Sequence, residues 1–427
     1  MKYEKVLKEI KSLKKFGIKL GLDRIKNLLK ILDNPHKSMK YLHVAGTNGK
    51  GSVCTMMSFV LREAGYKTGL FISPFIKDFR EMITINGKKI FKKDIVRIYK
   101  MFNFALKENK DCATEFEVIS TIAFKWFKEN NCDIVILETG IGGKFDSTNV
   151  IDSALISVIT AISYDHTKIL GNTLEKITRE KCGIIKENGK TVIYPDEDPC
   201  VFFTINEECR KMNNLAVVAD YSRLKIVEKT FLKTTVKFDN FRYELPLIGT
   251  HQLKNLSLVL TVLDELKKED FKISQKDKYN GILKTKISSR LEVLSNNPKI
   301  LLDGAHNLQS ISCISDFIKE YLGKKNVFAI FSMFKDKDYV SCIKKITPFI
   351  KLFVIVKLNN KRACNPLIIK EYIEKFKGKV LSIENTVNEA ICVLLKKCKK
   401  EDVILIFGSF YLSTNFKQQK KIRLFNA

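Results

Sequence analysis

A chain of 427 residues that is 45% apolar exceeds one ordinary core, and at ~150 residues per domain it divides into two or three. No run reaches the roughly 18 uninterrupted apolar residues of a membrane helix, and eleven cysteines without a CxxC pair argue against a zinc array and leave reduced thiols in a cytosol as the default. The net charge of +28 is carried by lysines spread along the chain with no basic block among aromatics, so compositional bias ranks first, steering of a small polyanionic substrate second and nucleic acid a distant third.

The N-terminal stretch "MKYEKVLKEIKSLKKFGIKLGLDRIKNLL" is basic but carries Glu4, Glu9 and Asp23 at helical spacing, which predicts a solvated amphipathic helix rather than a transit peptide. From Tyr41 to about Tyr194, apolar runs ("YLHVAG", "TGLFIS", "DIVILETG", "ALISVIT", "TVIY") alternate with amphipathic segments. That grammar predicts an α/β fold with a parallel sheet covered on both faces. Ligands of such sheets bind at the C-terminal ends of the strands, where the polar motifs of this chain fall. Residues 228–246 alternate differently and predict an antiparallel hairpin. From Lys299 the parallel grammar restarts with "KILLDGAHN", "NVFAIFSM", "LFVIV" and "VILIFGS". The expectation is a P-loop parallel-sheet ATPase domain over 1–287, followed by a smaller Rossmann-like α/β domain over 288–427, with the boundary near "KTKISSRLEVL".

Residues His43 to Val53, "HVAGTNGKGSV", form a glycine-rich turn between an apolar strand and a helical pattern. The Walker spacing is broken, because Gly51 follows Lys50, Ser52 comes one place late, and Val44 stands six before Lys50. Glycines still let backbone N–H groups approach a phosphate, a helix N-terminus adds its dipole, and Lys50 adds a cation. The Ser52 hydroxyl can face a magnesium ion. Glu138 ends a fully apolar strand before a glycine-rich stretch, where a carboxylate suits magnesium better than it suits a cap. His166, one of five histidines, stands open between a structural and a ligand role, since nitrogen is not magnesium's preferred donor. Lys181 in "REKCGIIK" reads as a solvated helix face. Asp303 and His306 leave a strand of the second half, with Arg290 one short strand earlier, and could reach across a cleft to a nucleotide. Residue spacing alone thus specifies a magnesium- and nucleotide-dependent two-domain enzyme. Phosphoryl transfer and ATP-driven ligation both fit it.

Taken together, these stretches resemble the folylpolyglutamate synthase/dihydrofolate synthase family of the Mur ligase superfamily over nearly the whole chain. "FGIKLGLDRIKNLLKILDNPHK" is similar to the family's N-terminal segment, and "HVAGTNGKGSV" to its phosphate loop with the displaced serine. "FISPFI" and "REMITING" resemble the loop after the next strand. "TEFEVIS", "ETGIGGKFDSTNVI", "DHTKILGNT", "EKCGIIK", "GTHQLKN", "LDGAHN", "KDKDY" and "GSFYLS" follow in the family's order. The resemblance implies that Lys50 and Ser52 bind ATP phosphates and magnesium, with Ser73, Glu138 and His166 completing two metal sites. It makes Lys181 a carbamylated lysine, an anionic oxygen donor beside the metal, and names Lys50, Lys181 and His166 as catalytic. Gly46, Thr47, Asn48, Gly49 and Gly51 would cradle the nucleotide with Asn255 and Arg290, joined by Asp303 and His306.

The implied reaction is amide formation. The γ-phosphate of ATP passes to an acceptor carboxylate, and the amino group of L-glutamate attacks the resulting acyl phosphate. Reduced folates are the expected acceptors and dihydropteroate a second one, in a cytoplasmic monomer with no nucleic-acid or membrane partner. Lys144, Cys182, Ser288-Ser289 and Phe75 depart from the family's usual residues without removing a phosphate or metal ligand. The alternatives are another Mur-type ligase acting on a cell-wall precursor, or a nucleotide-binding module that does not ligate.

Overall fold

The computed structural model describes residues 2–17, 19–108, 113–195 and 197–418. Strands β1 (Tyr41–Ala45) and β2 (Thr68–Phe71) lead to a hairpin of β3 (Ile83–Ile85) and β4 (Lys88–Lys89). They are followed by β5 (Ile134–Glu138), β6 (Ile156–Ile159), β7 (Lys190–Ile193) and β8 (Leu215–Val218). Together they form one eight-stranded sheet, β4-β3-β2-β5-β1-β6-β7-β8. The strands from β2 to β8 in that order run parallel, whereas β3 and β4 run antiparallel. The chain moves from β1 outward to β2 on one side and from β6 outward on the other. The strand order therefore reverses at β1, and a crevice opens past the C-terminal ends of β5, β1 and β6.

Strands β1, β5 and β6 are buried throughout, as continuous Val/Ile/Leu runs require when helices cover both faces. Leu42, Val44, Ile134, Ile136, Ile156 and Val158 pack on one face against the helices Lys50–Glu63 and Thr250–Lys267. Tyr41, Val135 and Leu137 pack on the other against the helix Glu115–Glu129. Two helices, Tyr3–Ser12 and Asp23–Ile31, form where one amphipathic helix was expected, and bury Val6, Ile10, Ile25, Leu28 and Leu29 in that second core. The "REMITING" stretch, expected as loop, supplies strand β3 and the turn that leads into β4.

The hairpin expected over 228–246 gains a strand. Strands β9 (Leu224–Lys229), β10 (Thr234–Phe238) and β11 (Phe241–Leu245) make a small antiparallel sheet, β11-β10-β9. The turn after β9 sets Phe231 edge-on against Phe317 and Tyr321 of the second half.

The second half builds a six-stranded sheet from β12 (Glu292–Asn296), β13 (Lys299–Leu302), β14 (Val327–Phe331), β15 (Leu352–Val356), β16 (Val380–Glu384) and β17 (Val403–Phe407). Its order is β12-β13-β17-β14-β15-β16, with only β12 antiparallel. Insertion of β17 between β13 and β14 makes a second reversal, whose crevice faces the first. Strands β8 and β16 were not foreseen; both are half-exposed outer strands, β16 is interrupted by Ser382, and β8 carries a short apolar run, LAVV.

Candidate functional site

The phosphate loop is drawn tight by the strand beside it. Thr47 and Asn48 N–H donate to Ala161 O at 2.8 and 3.1 Å, and Thr47 Oγ1 donates to Ser163 O at 3.0 Å. Gly49 enters the helix Lys50–Glu63 at φ 91, and a Cβ there would lie 2.6 Å from Asn255 Oδ1. Only glycine allows Asn255 to press on the loop. Lys50 Nζ donates to Gly46 O at 2.9 Å and Thr47 O at 3.3 Å. Ser52 is fully buried and its hydroxyl has no hydrogen-bond partner among the described residues. A buried hydroxyl left unpaired is costly, so its place is that of a group waiting for a ligand.

Glu138 closes β5 beside this helix and accepts the Ser73 N–H on Oε2 at 3.0 Å. Burial pushes its carboxyl up to about 7, against the opposing pull of Lys50 and the Ser73 N–H. Lys181 is not the solvated residue its local spacing suggests. The helix Leu174–Cys182 directs it inward, 4% exposed, to donate to Gly46 O at 2.8 Å. Burial and then Lys50 push its amine down to about 7. Past β6, His166 stands at φ 49, and burial followed by Lys337 pushes its imidazole down to about 4.

The second sheet supplies the facing wall. Asp303 turns inward, accepting Leu291 N–H at 2.8 Å and Ala305 N–H at 2.7 Å, and so shapes the loop that carries Arg290 and His306. Burial raises its carboxyl, with Arg290 the main opposing charge. Arg290 stacks over Phe410 at 4.7 Å, and the His306 ring lies 5.5 Å from the same phenyl.

The two halves meet at Asp165. Lys337 Nζ donates to its Oδ1 at 2.6 Å and lies 3.4 Å from His166 Nε2. Asn307 Nδ2 donates to its Oδ2 at 3.1 Å, and His306 Nε2 lies 3.6 Å away. Burial alone would raise the Asp165 carboxyl, but His306, Lys337 and His166 hold it well below the carboxylate range. Asn48 and Asn307 exchange amide hydrogen bonds at 3.2 and 3.1 Å.

Two cavities, of about 290 and 470 Å³, share Asn48, Gly49, Arg290, His306 and Phe410 in their walls. Ser52, Asn255 and Asp303 line the smaller; Gly46, Thr47, Lys50, Gly51, Ser73, Glu138, His166 and Lys181 line the larger. Every residue singled out from the sequence thus faces one space or the other. Asp165, Lys337, Asn307 and Phe410 were not singled out. All four lie in stretches that carried a signal, "DHTKILGNT", "KDKDY", "LDGAHN" and "GSFYLS", but no local spacing marks their partners. Among the described residues no three His, Cys, Asp or Glu side chains form a metal cage. Ser52 Oγ and the Glu138 carboxylate are instead hard oxygens of the sort magnesium takes when phosphates and waters complete its shell.

The chain is similar to known proteins over nearly its whole length. Residues 44–263 match the Mur ligase middle domain, and residues 289–410 the Mur ligase, glutamate ligase domain. The dihydrofolate synthase/folylpolyglutamate synthase of Bacillus subtilis (strain 168) is 34% identical over 421 residues, covering 95% of this chain and 96% of that protein. The chain belongs to this family of Mur ligases. Its fold is that of folylpolyglutamate synthase from Mycobacterium tuberculosis, solved with ADP and AMPPCP. The two superpose with a TM-score of 0.87 at 24% identity, over 98% of this chain and 99% of that one. E. coli FolC, solved in complex with DHPP and ADP, superposes with a TM-score of 0.83 at 25% identity, over 96% of each chain.

Proposed function

We propose that this Mur ligase joins L-glutamate to a folate-type acceptor at the expense of ATP. Reduced folates are the main acceptors and dihydropteroate a second, and the working unit is a cytoplasmic monomer without nucleic-acid or membrane partners. The names and ligands of the relatives support the acceptor and nucleotide classes. A single observation carries the reading: Lys50, Ser52, Glu138 and Lys181 from one sheet face Arg290, His306 and Lys337 from the other across connected walls. A division at 287/288 would leave each half of the nucleotide site on its own domain.

ATP lies along the smaller cavity, its phosphates reaching Gly46–Ser52 and its outer part Asn255, Arg290 and Asp303. Ser52 and Glu138, with Ser73, His166 and a carbamylated Lys181, would hold two magnesium ions. When bound, these draw charge off the transferring phosphoryl group. Lys50 turns from Gly46 O to the γ-phosphate and neutralises charge as the acceptor carboxylate oxygen attacks phosphorus and the bond to ADP breaks. The neutral amine of glutamate then attacks the acyl carbon, phosphate leaves, and the amine gives up its proton. Positioning and electrostatics suffice, so no side chain needs to act as nucleophile. The His166 imidazole, held uncharged, is a metal-side ligand rather than a base.

The test is phosphate release and product mass with purified protein, ATP, magnesium and glutamate, with each acceptor in turn. Glutamate added to a reduced folate or to dihydropteroate is expected. Joining only to a cell-wall nucleotide, or nucleotide binding without turnover, would overturn the reading.

A further inference from the structure

A buried polar chain lies on the face of the first sheet turned away from the helix Lys50–Glu63, and no step above uses it. His43, in the middle of β1, is fully buried. Its neighbours Leu42 and Val44 pack beneath the phosphate-loop helix, whereas Tyr41 packs on the opposite face; strand alternation puts His43 on the Tyr41 side. There His43 Nε2 lies 2.8 Å from Thr148 Oγ1. Thr148 donates its hydroxyl to Asp146 Oδ1 at 2.6 Å and its N–H to the same oxygen at 3.0 Å. Asp146 Oδ2 accepts Gly140 N–H at 2.8 Å and Ile141 N–H at 3.1 Å.

The proton count fixes the direction of this relay. The single Thr148 hydroxyl proton goes to Asp146, so Oγ1 can only accept from the ring, and the neutral imidazole carries its hydrogen on Nε2. His43 Nδ1 has no partner among the described residues. One donor at the position of Nε2 is all that the site draws from this histidine.

The loop held by the relay is a wall of the larger cavity, where Gly140, Ile141 and Gly142 share the lining with Ser73, Pro74 and Phe75. Its far end passes under the helix Leu174–Cys182. Lys144 N–H donates to Glu180 O at 2.8 Å, and a Cβ on Gly143 would fall 2.5 Å from Lys181 O. A shift of this loop would move the cavity wall, whereas Lys181 is held by its own helix and by its bond to Gly46 O at 2.8 Å.

We propose that His43 is a positioning residue for the acceptor side of the ligation, its Nε2–H fixing the Gly140–Gly142 wall through Thr148 and Asp146. The inference rests on the ligase reading above. It predicts a split in the kinetics, because His43 and the phosphate-loop helix lie on opposite faces of the sheet. His43→Leu and Thr148→Val should raise the acceptor KM by ~10-fold and lower kcat, with the KM for ATP held within about twofold. His43→Gln and Thr148→Ser, which keep the donor and the hydroxyl, should return acceptor KM toward wild type. The double variant His43→Leu/Thr148→Val should be no worse than the poorer single, since both break one relay. If His43→Leu does not fold, Thr148→Val carries the test, as it keeps the side-chain shape and the Thr148 N–H bond. Unchanged acceptor KM in Thr148→Val, ATP and acceptor KM rising together, or no recovery with Thr148→Ser would overturn the positioning role while wild-type ligation persists. Wild-type protein inert with every folate acceptor would overturn the ligase reading and this inference with it.

Discussion

Ser52 offers the clearest separation of function from stability. Its hydroxyl is buried without a partner, a condition that ordinarily costs ~1–3 kcal/mol. Ser52→Ala should therefore melt no lower than wild type while ligation falls ~10–100-fold, as for loss of a metal-side ligand; a thermal melt and a phosphate-release assay on the same sample check both. Lys181 gives the pH dependence. Carbamate formation needs the uncharged amine, and burial with Lys50 beside it brings that amine down to about 7 from its usual range. The folded-state value is depressed, so the ammonium dominates below it and the reactive amine above it. Carbamate signal from labelled bicarbonate should grow as pH rises through that value and be absent in Lys181→Ala. That variant should lose ligation and regain part of it with added short carboxylic acids. An unmodified ammonium beside bound magnesium would sink the carbamate.

At the scale of elements, the helix Glu115–Glu129 organises the N-terminal segment. Thr114 and Glu117 form a reciprocal capping box at its start, and Glu117 also takes Arg24 Nε at 3.1 Å, with the two side chains only 5% and 12% exposed. Arg24 Nη2 donates in turn to Lys19 O at 2.9 Å, so one guanidinium stitches the turn after the first helix onto the capped end. Removing one partner of a buried pair strands the other charge. Arg24→Ala should cost about 3 kcal/mol, whereas Thr114→Ala, which loses only a cap, should cost about 1 kcal/mol. Urea unfolding of the two variants side by side tests the ranking. Equal losses would mean that Glu117 is relieved by water once Arg24 is gone.

For the whole molecule, the hydrogen bonds around Asp165 hold the two sheets face to face. Lys337, 7% exposed, reaches Asp165 and His166 across the crevice through its ammonium. Lys337→Met should loosen the halves, seen as a larger radius of gyration in solution scattering, and should slow single-turnover ligation. An unchanged radius with slower ligation would place the lysine in the chemistry instead. Deletion of residues 290–427 should abolish ligation outright. The charge of +28 makes a further claim at this scale. If it steers polyglutamate substrates, their apparent affinity should weaken as salt rises, because exposed charges are screened beyond ~10 Å at 0.1 M. A salt-independent affinity would return the excess lysine to compositional bias.

The features that could be read from the residues alone share a physical cause. A strand buried on both faces must be a continuous apolar run, so β1, β5, β6, β13, β14, β15 and β17 announce themselves, and the polar residues at their exits, Lys50, Glu138 and Asp303, are marked by position. The phosphate loop is legible for the same reason, since its glycines and helix start are consecutive. Strand β16 escapes notice because an outer strand packs only partly and needs no such run, whereas β8, also an outer strand, does carry an apolar run, LAVV. Lys181 shows the limit most sharply. Its helix carries an ordinary polar pattern, and only the fold brings Gly46 O within 2.8 Å and removes the water. Asp165 and Lys337 are 172 residues apart, His43 and Thr148 are 105 apart, and neither pair has a local signature. Local order is set by periodicity and turn chemistry, which neighbours in the chain carry. Burial of a charge and the closing of a relay depend on what the rest of the chain packs against it, and tertiary structure alone decides that.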